Sequence, residues 1–280
     1  MKKKRKVDFK EIGLDMGLIL AKRLFNTEYL HYGYWTEDLP VHSDNILAAQ
    51  EAYAEFIVSH IPKGTKTILD VGCGAGKFAE KLLDLGFAVD CVSPSPNLTK
   101  HVRRILGDRS KIFECGYEEV ETDNRYDLVL FSESFQYIPT VQAISQSLKF
   151  LNPGGQILIC DFFRKKVEGK SPIGGGHDIE EFYHTVGQSP LQVIEDIDIT
   201  KETAPSLDIM DDLLTNTIQP IYDLFAYAMK ENYPKFTGLV GRMFKKRFEK
   251  INFKYFQQRT NGQSFAHFKT YHLMVYKRSD

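Results

Sequence analysis

The chain has 280 residues, enough to bury a sizeable core as one large domain or as a domain with a cap. Its 36 Lys plus Arg balance 37 Asp plus Glu, and the formal charge of −1 excludes the basic field of a nucleic-acid binder. Four cysteines without a CxxC pair exclude a disulfide framework and a cysteine metal site, and no run approaches the ~18 apolar residues of a membrane span.

The chain opens on Lys2, Lys3, Lys4, Arg5 and Lys6. This run reads as a solvated arm, and the same pattern is that of a short nuclear-import signal. Asp8, Lys10, Glu11 and Asp15 interrupt the apolar run of a secretory leader. With reduced cysteines, that points to the cytoplasm, or to the nucleus if the basic run acts in import. Residues 12–25 then form an amphipathic helix whose apolar residues include Ile12, Met16, Ile19, Leu20 and Leu24. Tyr29, His31, Tyr32, Tyr34 and Trp35 crowd around Gly33, either as a hydrophobic staple or as an aromatic flap over a cation. Ser43 caps a helix that carries Gln50 and ends before Pro62.

The run ILDVGCGAGKF at 68–78 reads as buried strand, tight turn and helix. Gly72, Gly74 and Gly76 allow positive φ and let a ligand lie against the main chain. The helix start offers N–H groups to an anionic group, while Asp70 suits an ammonium, a pairing that fits a zwitterionic amino-acid ligand better than a pyrophosphate. A dinucleotide fingerprint needs a third glycine where Lys77 stands, and the phosphate-loop spacing is also missing. The segment Asp70, Val71, Gly72, Cys73, Gly74, Ala75, Gly76 after a hydrophobic strand resembles motif I of the class I S-adenosylmethionine-dependent methyltransferases. The resemblance extends with diminishing strength from about residue 43 to the last strand.

That resemblance implies an α/β, Rossmann-like sheet of seven mostly parallel strands, the last antiparallel, with helical lid elements and S-adenosylmethionine as cofactor. It divides the chain into an arm and lid helix at 1–42, a cofactor-binding core at 43–203, a helical lid at 204–256 and a final strand at 257–280. The aromatic run resembles a segment upstream of motif I in methyltransferases of the tocopherol, sterol and cyclopropane-fatty-acid groups. By resemblance, Tyr32, Trp35 and Gln50 join Asp70, Gly72, Cys73, Gly74 and Gly76 at the cofactor.

Residues 87–92 form the second strand and end at Ser93, Pro94, Ser95 and Pro96. Relatives place an acidic ribose anchor where this chain has Ser93, a weaker neutral partner. The third strand at 111–115 leads to Gly116, Tyr117 and Glu118, where relatives have Gly-Asp-Ala beside the adenine. Tyr117 would lie against the base and Glu118 or a backbone N–H would read its edge. The fourth strand, 126–131, delivers Ser132, Glu133 and Ser134 to the carboxyl edge where ligands sit in open α/β sheets.

A helix at 141–151 precedes Asn152, Pro153, Gly154 and Gly155, which match the superfamily's entry to strand five at 156–161. A glycine-rich loop then reaches His177, a candidate base or a mere decoration of the helix at 179–186. Strand six, 191–199, ends with Asp198 placed to orient His177. Residues 204–250 are helical and aromatic-rich, suggesting an apolar pocket, and 265–276 close the sheet.

The expected chemistry is methyl transfer to a small apolar, aromatic or isoprenoid-like acceptor on oxygen, nitrogen or carbon. His177 or Glu133 would take a proton, or Tyr34, with Tyr32 and Trp35, would stabilise a carbocation. No metal and no nucleic acid are expected. The rival readings are a nucleic-acid or protein methyltransferase, and a non-catalytic cofactor-binding partner subunit.

Overall fold

The structure is a computed structural model that describes residues 9–252 and 260–279. The basic run Lys2, Lys3, Lys4, Arg5 and Lys6 lies outside the described residues. None of the described helices is long and apolar enough to cross a membrane.

The strands are β1 (Thr67–Val71), β2 (Ala88–Val92), β3 (Ile112–Phe113), β4 (Tyr126–Ser132), β5 (Leu151–Arg164), β6 (Leu191–Asp198) and β7 (Lys269–Arg278), in the order β3-β2-β1-β4-β5-β7-β6. β1 pairs in parallel with β2 and β4, whereas β7 runs antiparallel to both β5 and β6. The chain winds outward from β1 to β3 and returns on the other side of β1 at β4. That reversal opens a crevice at the carboxyl ends of β1 and β4, the place where such sheets take ligands.

Alternation along each strand fills two core layers. Ile68, Leu128, Leu130, Leu158, Cys160 and Phe162 face α2 (Ile46–Ser59), α3 (Lys77–Asp84) and α4 (Pro96–Leu106). Leu69, Val71, Val129, Phe131, Ile157 and Phe163 face α5 (Thr140–Phe150) and α6 (Ile179–Gly187). On α3, Phe78, Ala79 and Leu82 form one buried stripe. Burial of Phe78 and Leu82 contributes roughly 1.5–3 kcal/mol each. The same period of two places Asp70 on the face of Ile68, toward α2 and α3.

The fold agrees with the seven-stranded expectation and differs from it locally. α4 has no counterpart in the elements read above, although Ser95 caps it, Pro96 occupies its first turn, and Leu98, Val102 and Leu106 are buried at a spacing of four. β5 begins at Leu151: it pairs with Tyr126, slips in register, and resumes at Gln156 opposite Leu128, with Asn152, Pro153, Gly154 and Gly155 in the irregular stretch. Residues expected to start the last strand instead form α11 (Gly262–Phe268), capped by Asn261, before β7 begins.

α1 (Phe9–Leu24) packs through Leu18 against Ala75, Leu98 and Leu30, while Met16, Ile19, Leu20 and Leu24 are exposed. The expected stripe therefore lies on the wrong side of the helix. Leu18 seats α1 over the glycine turn.

After β6 come α7 (Thr200–Thr203), α8 (Pro205–Asp212), a π-helical stretch Leu213–Ile218, α9 (Gln219–Asn232) and α10 (Pro234–Asn252). Phe225, Tyr227, Phe236 and Met243 on α9 and α10 are exposed, so these rings do not enclose the apolar pocket expected of them.

Candidate functional site

At the carboxyl end of β1 the chain turns through Gly72 at φ +77°, Gly74 at φ +56° and Gly76 at φ +87°. Side chains other than glycine rarely adopt this conformation. A Cβ on Gly72 would overlap Ser134, whose hydroxyl donates to the Val71 carbonyl, so the turn is clamped to the end of β4. Gly74 differs: a Cβ there would meet only Leu30, at 3.8 Å.

The N–H groups of Gly72 and Cys73 both donate to Val92 O, at 2.9 and 3.2 Å, and that of Gly76 donates to Cys73 O at 2.9 Å. The turn therefore leaves the N–H groups of Gly74 and Ala75 for a ligand. Cys73 contributes main chain only: its buried thiol faces Cys91, and that hydrogen bond together with burial holds it above the usual thiol range.

Asp70 is 2% exposed and its Oδ2 has no hydrogen-bond partner among the described residues. Burial pushes its carboxyl up to about 7. A buried carboxylate oxygen without a donor is costly unless a ligand supplies one. His31 Nε2 is likewise buried without a partner among the described residues. His31 is absent from the expected site, yet burial holds its imidazole down to about 4 and its Nδ1 lies 2.8 Å from Tyr32 O. A carbonyl only accepts, so Nδ1 carries the proton and Nε2 is left as an open acceptor. The YLHYGYW pattern held this residue, but nothing in the pattern separated it from its aromatic neighbours.

At the end of β2, Ser93 is buried and its N–H donates to Phe113 O at 3.0 Å, while Pro94 is exposed. Tyr117 points away from the crevice. Its ring packs edge-on against Phe131 and Phe150 in the core, and its hydroxyl lies 2.9 Å from Ser147 Oγ. It cannot lie against a base, and only its backbone and the exposed Glu118 remain near that position.

Gln50 is also committed elsewhere. Its Oε1 accepts from Thr27 Oγ1 at 2.7 Å, and its Nε2 donates to His31 O at 2.6 Å and Tyr29 O at 3.4 Å. Both N–H groups of the amide and one lone pair of Oε1 are spent on the irregular segment that carries Tyr32, which makes Gln50 a positioning residue.

The aromatic run splits. Trp35 donates from Nε1 to Ser206 Oγ at 3.0 Å and packs with Ala49 and Ile209. Tyr34 stacks on Phe56 with ring centroids 4.6 Å apart. Both staple the segment to α2 and α8, so the structure does not bring Tyr34, expected to be catalytic, or Trp35, expected at the cofactor, to the group formed by Tyr32, Phe162 and Tyr271. Tyr32 stays inside: its ring lies parallel to Phe162 at 6.3 Å and near Phe265 and Tyr271, and its N–H donates to Glu133 Oε1 at 2.6 Å.

Glu133 sits at φ +53° directly after β4, an uncommon conformation for a residue with a side chain. Burial is the largest influence on it and Asp161 adds repulsion, so its carboxyl is pushed up to about 8 even though Tyr32 and Tyr271 donate to it. Asp161, 1% exposed, is raised to about 7 by burial, and accepts from Gln136 N at 3.0 Å and Phe162 N at 2.8 Å.

His177 is not part of this group. Its Nε2 lies 3.2 Å from Phe135 O and 2.9 Å from Ile138 O, two acceptors that require Nε2 to be the donor. The ring lines an open groove of about 410 Å³ with Gln136, Tyr137, Asp178 and Glu181. Asp198 bonds to Thr200 and Thr270 instead of orienting His177. His177 therefore holds the 135–138 turn in place.

The site that assembles is thus Asp70 and the glycine turn on one side of the crevice, with Glu133, Asp161, Tyr32, Phe162 and Tyr271 on the other. An uncharacterised methyltransferase of Mycobacterium bovis (strain ATCC BAA-935 / AF2122/97) is 28% identical over 97 residues, 35% of this chain and 40% of that protein, so this chain spans less than half of that relative's length. Methyltransferase GfsG of Streptomyces halstedii is 26% identical over 225 residues, 70% of this chain and 78% of that protein. The crystal structure of geranyl diphosphate C-methyltransferase from Streptomyces coelicolor A3(2), with Mg2+, geranyl diphosphate and S-adenosyl-L-homocysteine, gives a TM-score of 0.67 at 15% identity, covering 98% of this chain and 100% of that one. That likeness establishes the fold. Residues 47–189, just over half of the chain, match the family model described as "Methyltransferase domain", and the chain belongs to that family.

Proposed function

We propose that the protein transfers a methyl group from S-adenosylmethionine to a small acceptor with an apolar or aromatic body. The observation that carries this reading is the unpartnered Oδ2 of Asp70 in the same corner as the Gly74 and Ala75 N–H groups, which no hydrogen bond among the described residues takes. The donor's amino-acid end has the two groups such a corner needs, an ammonium for Asp70 and a carboxylate for the N–H pair. Ser93 and Glu118 stand along the ends of β2 and β3 for the nucleoside. When bound, the donor supplies an electrophilic methyl on a sulfonium that leaves as a neutral thioether.

What remains for the protein is to place the acceptor, exclude water and take a proton. Glu133 is the group placed for the proton: it is buried among Tyr32, Tyr271 and Asp161 on the acceptor side of the crevice. The rings of Tyr32 and Phe162, backed by the buried Phe265, favour an apolar acceptor. Calorimetric titration with S-adenosylmethionine and S-adenosylhomocysteine tests the reading. Micromolar binding of both is expected, and an absence of heat at millimolar ligand on folded protein ends it.

A further inference from the structure

Lys269 is the first residue of β7, on the face of the sheet that carries Tyr271 and Phe162. It is 1% exposed and has no carboxylate partner among the described residues, which is rare for a lysine. Its Nζ donates to Gly175 O at 2.5 Å and stands 5.5 Å from the centre of the Phe162 ring. A backbone carbonyl and a ring face leave two ammonium N–H groups without a partner among the described residues, and no described carboxylate balances the charge. Arg164, its register partner on β5, adds a second positive charge. Burial first, and Arg164 second, hold the amine down to about 8, so it is still largely charged at pH 7.

Phe162 connects this ammonium to the acceptor side, since its ring lies 6.3 Å from Tyr32, whose N–H reaches Glu133. The cover over Lys269 is the loop through Gly175 and Gly176, both at φ +77°. A Cβ on Gly175 would collide with Gln136 and one on Gly176 would press on Phe162 at 3.1 Å, so the loop lies directly against the Phe162 ring.

We propose that Lys269 is an anion-binding residue of the acceptor pocket, taking the carboxylate or a like monoanionic head of an acceptor whose apolar body lies against Phe162 and Tyr32. The proposal rests on the methyl-transfer reading only in naming the ligand an acceptor. A merely structural lysine, tying the loop through Gly175, would show no preference for anions.

Octanoate and 1-octanol, equal in chain length and different in charge, are the probes, titrated calorimetrically with and without S-adenosylhomocysteine. Wild type is expected to bind octanoate at least tenfold more tightly than octanol. Lys269→Met should abolish that preference, and Lys269→Gln, which keeps a donor for Gly175 O, should abolish it too. Equal binding of the two probes by wild type, or a preference retained in either variant, overturns the proposal. Binding of S-adenosylhomocysteine is read separately, so its failure would count against the donor site, while the probe pair alone decides the role of Lys269.

Discussion

Tyr271 Oη donates to Glu133 Oε1 at 2.9 Å and lies 2.7 Å from the Oη of Tyr53. With the Tyr271 proton turned to the carboxylate, Tyr53 donates to Tyr271, and a buried chain of three side chains runs from α2 through β7 to the end of β4. A hydroxyl donating to the ionised form favours ionisation, against the burial that opposes it.

If Glu133 takes the proton, it must be ionised, and methyl transfer is expected to rise with pH through about 8. Tyr271→Phe removes one donor and should move that rise upward by about one pH unit. Glu133→Gln should lower kcat by roughly 10²–10³ while leaving donor affinity unchanged. Steady-state rates from pH 6 to 10 decide the matter. A profile unmoved in Tyr271→Phe removes the chain from the mechanism.

The same acids set how stability depends on pH. Burial pushes Asp70 and Asp161 up to about 7 and Glu133 up to about 8 in the folded chain, above their ordinary values. Between pH ~4 and ~8 the folded state therefore holds more protons than the unfolded state, and stability falls as pH rises through that window. Asp70→Asn removes one buried charge and should raise stability at pH 8 by about 1–3 kcal/mol, with a clearly smaller gain at pH 5. The same variant loses the partner of the donor's ammonium, so donor affinity should drop about 10- to 100-fold. Urea melts at the two pH values and one titration separate these effects. Equal stability gains at both pH values would show that the Asp70 carboxyl is not held above its ordinary range in the fold.

The glycine corner was legible in sequence because its signals are local: a hydrophobic run, an acid at its end, and glycines where the backbone needs positive φ. α4 announced itself in the same way through Ser95 and Pro96, but its basic surface residues mask the Leu98, Val102, Leu106 stripe. Ring direction is a different matter. Tyr32, Tyr34, Trp35 and Tyr117 suit a pocket or a core equally well, and the choice is made by distant partners: Phe162 and Tyr271 for the first, Phe56, Ser206 and Ser147 for the others. Tyr53 and Tyr271, separated by 218 positions, meet only after the sheet is assembled. No local pattern carries that information, and Lys269 was hidden for the same reason.

Two glycines two residues apart should respond in opposite ways. At Gly72 an added methyl overlaps Ser134 at a strained φ, so Gly72→Ala should cost about 1–3 kcal/mol of stability. At Gly74 there is room, and aspartate tolerates the left-handed conformation better than most residues. Gly74→Asp should therefore fold with a melting temperature close to wild type, yet fail to bind the donor because its carboxylate repels the donor's. Thermal melts paired with calorimetry read both. A Gly74→Asp protein that binds normally would place the donor elsewhere.

Gln50 offers a test of positioning away from the chemistry. Its amide ties Thr27, Tyr29 and His31, the stretch leading directly to Tyr32. Gln50→Ala leaves the Thr27 hydroxyl and two carbonyls without that partner, at a cost of about 1–3 kcal/mol. Freed of the tie, Tyr32 holds the Glu133 carboxylate less firmly, so kcat should fall about tenfold with donor affinity little changed. Gln50→Glu keeps an acceptor for Thr27 but puts a carboxylate opposite the carbonyls of Tyr29 and His31, and should be no better than alanine. Were Gln50 instead a ligand to the donor, donor affinity would collapse in both variants before kcat changed, and the order of those two effects in a titration and a rate measurement separates the roles.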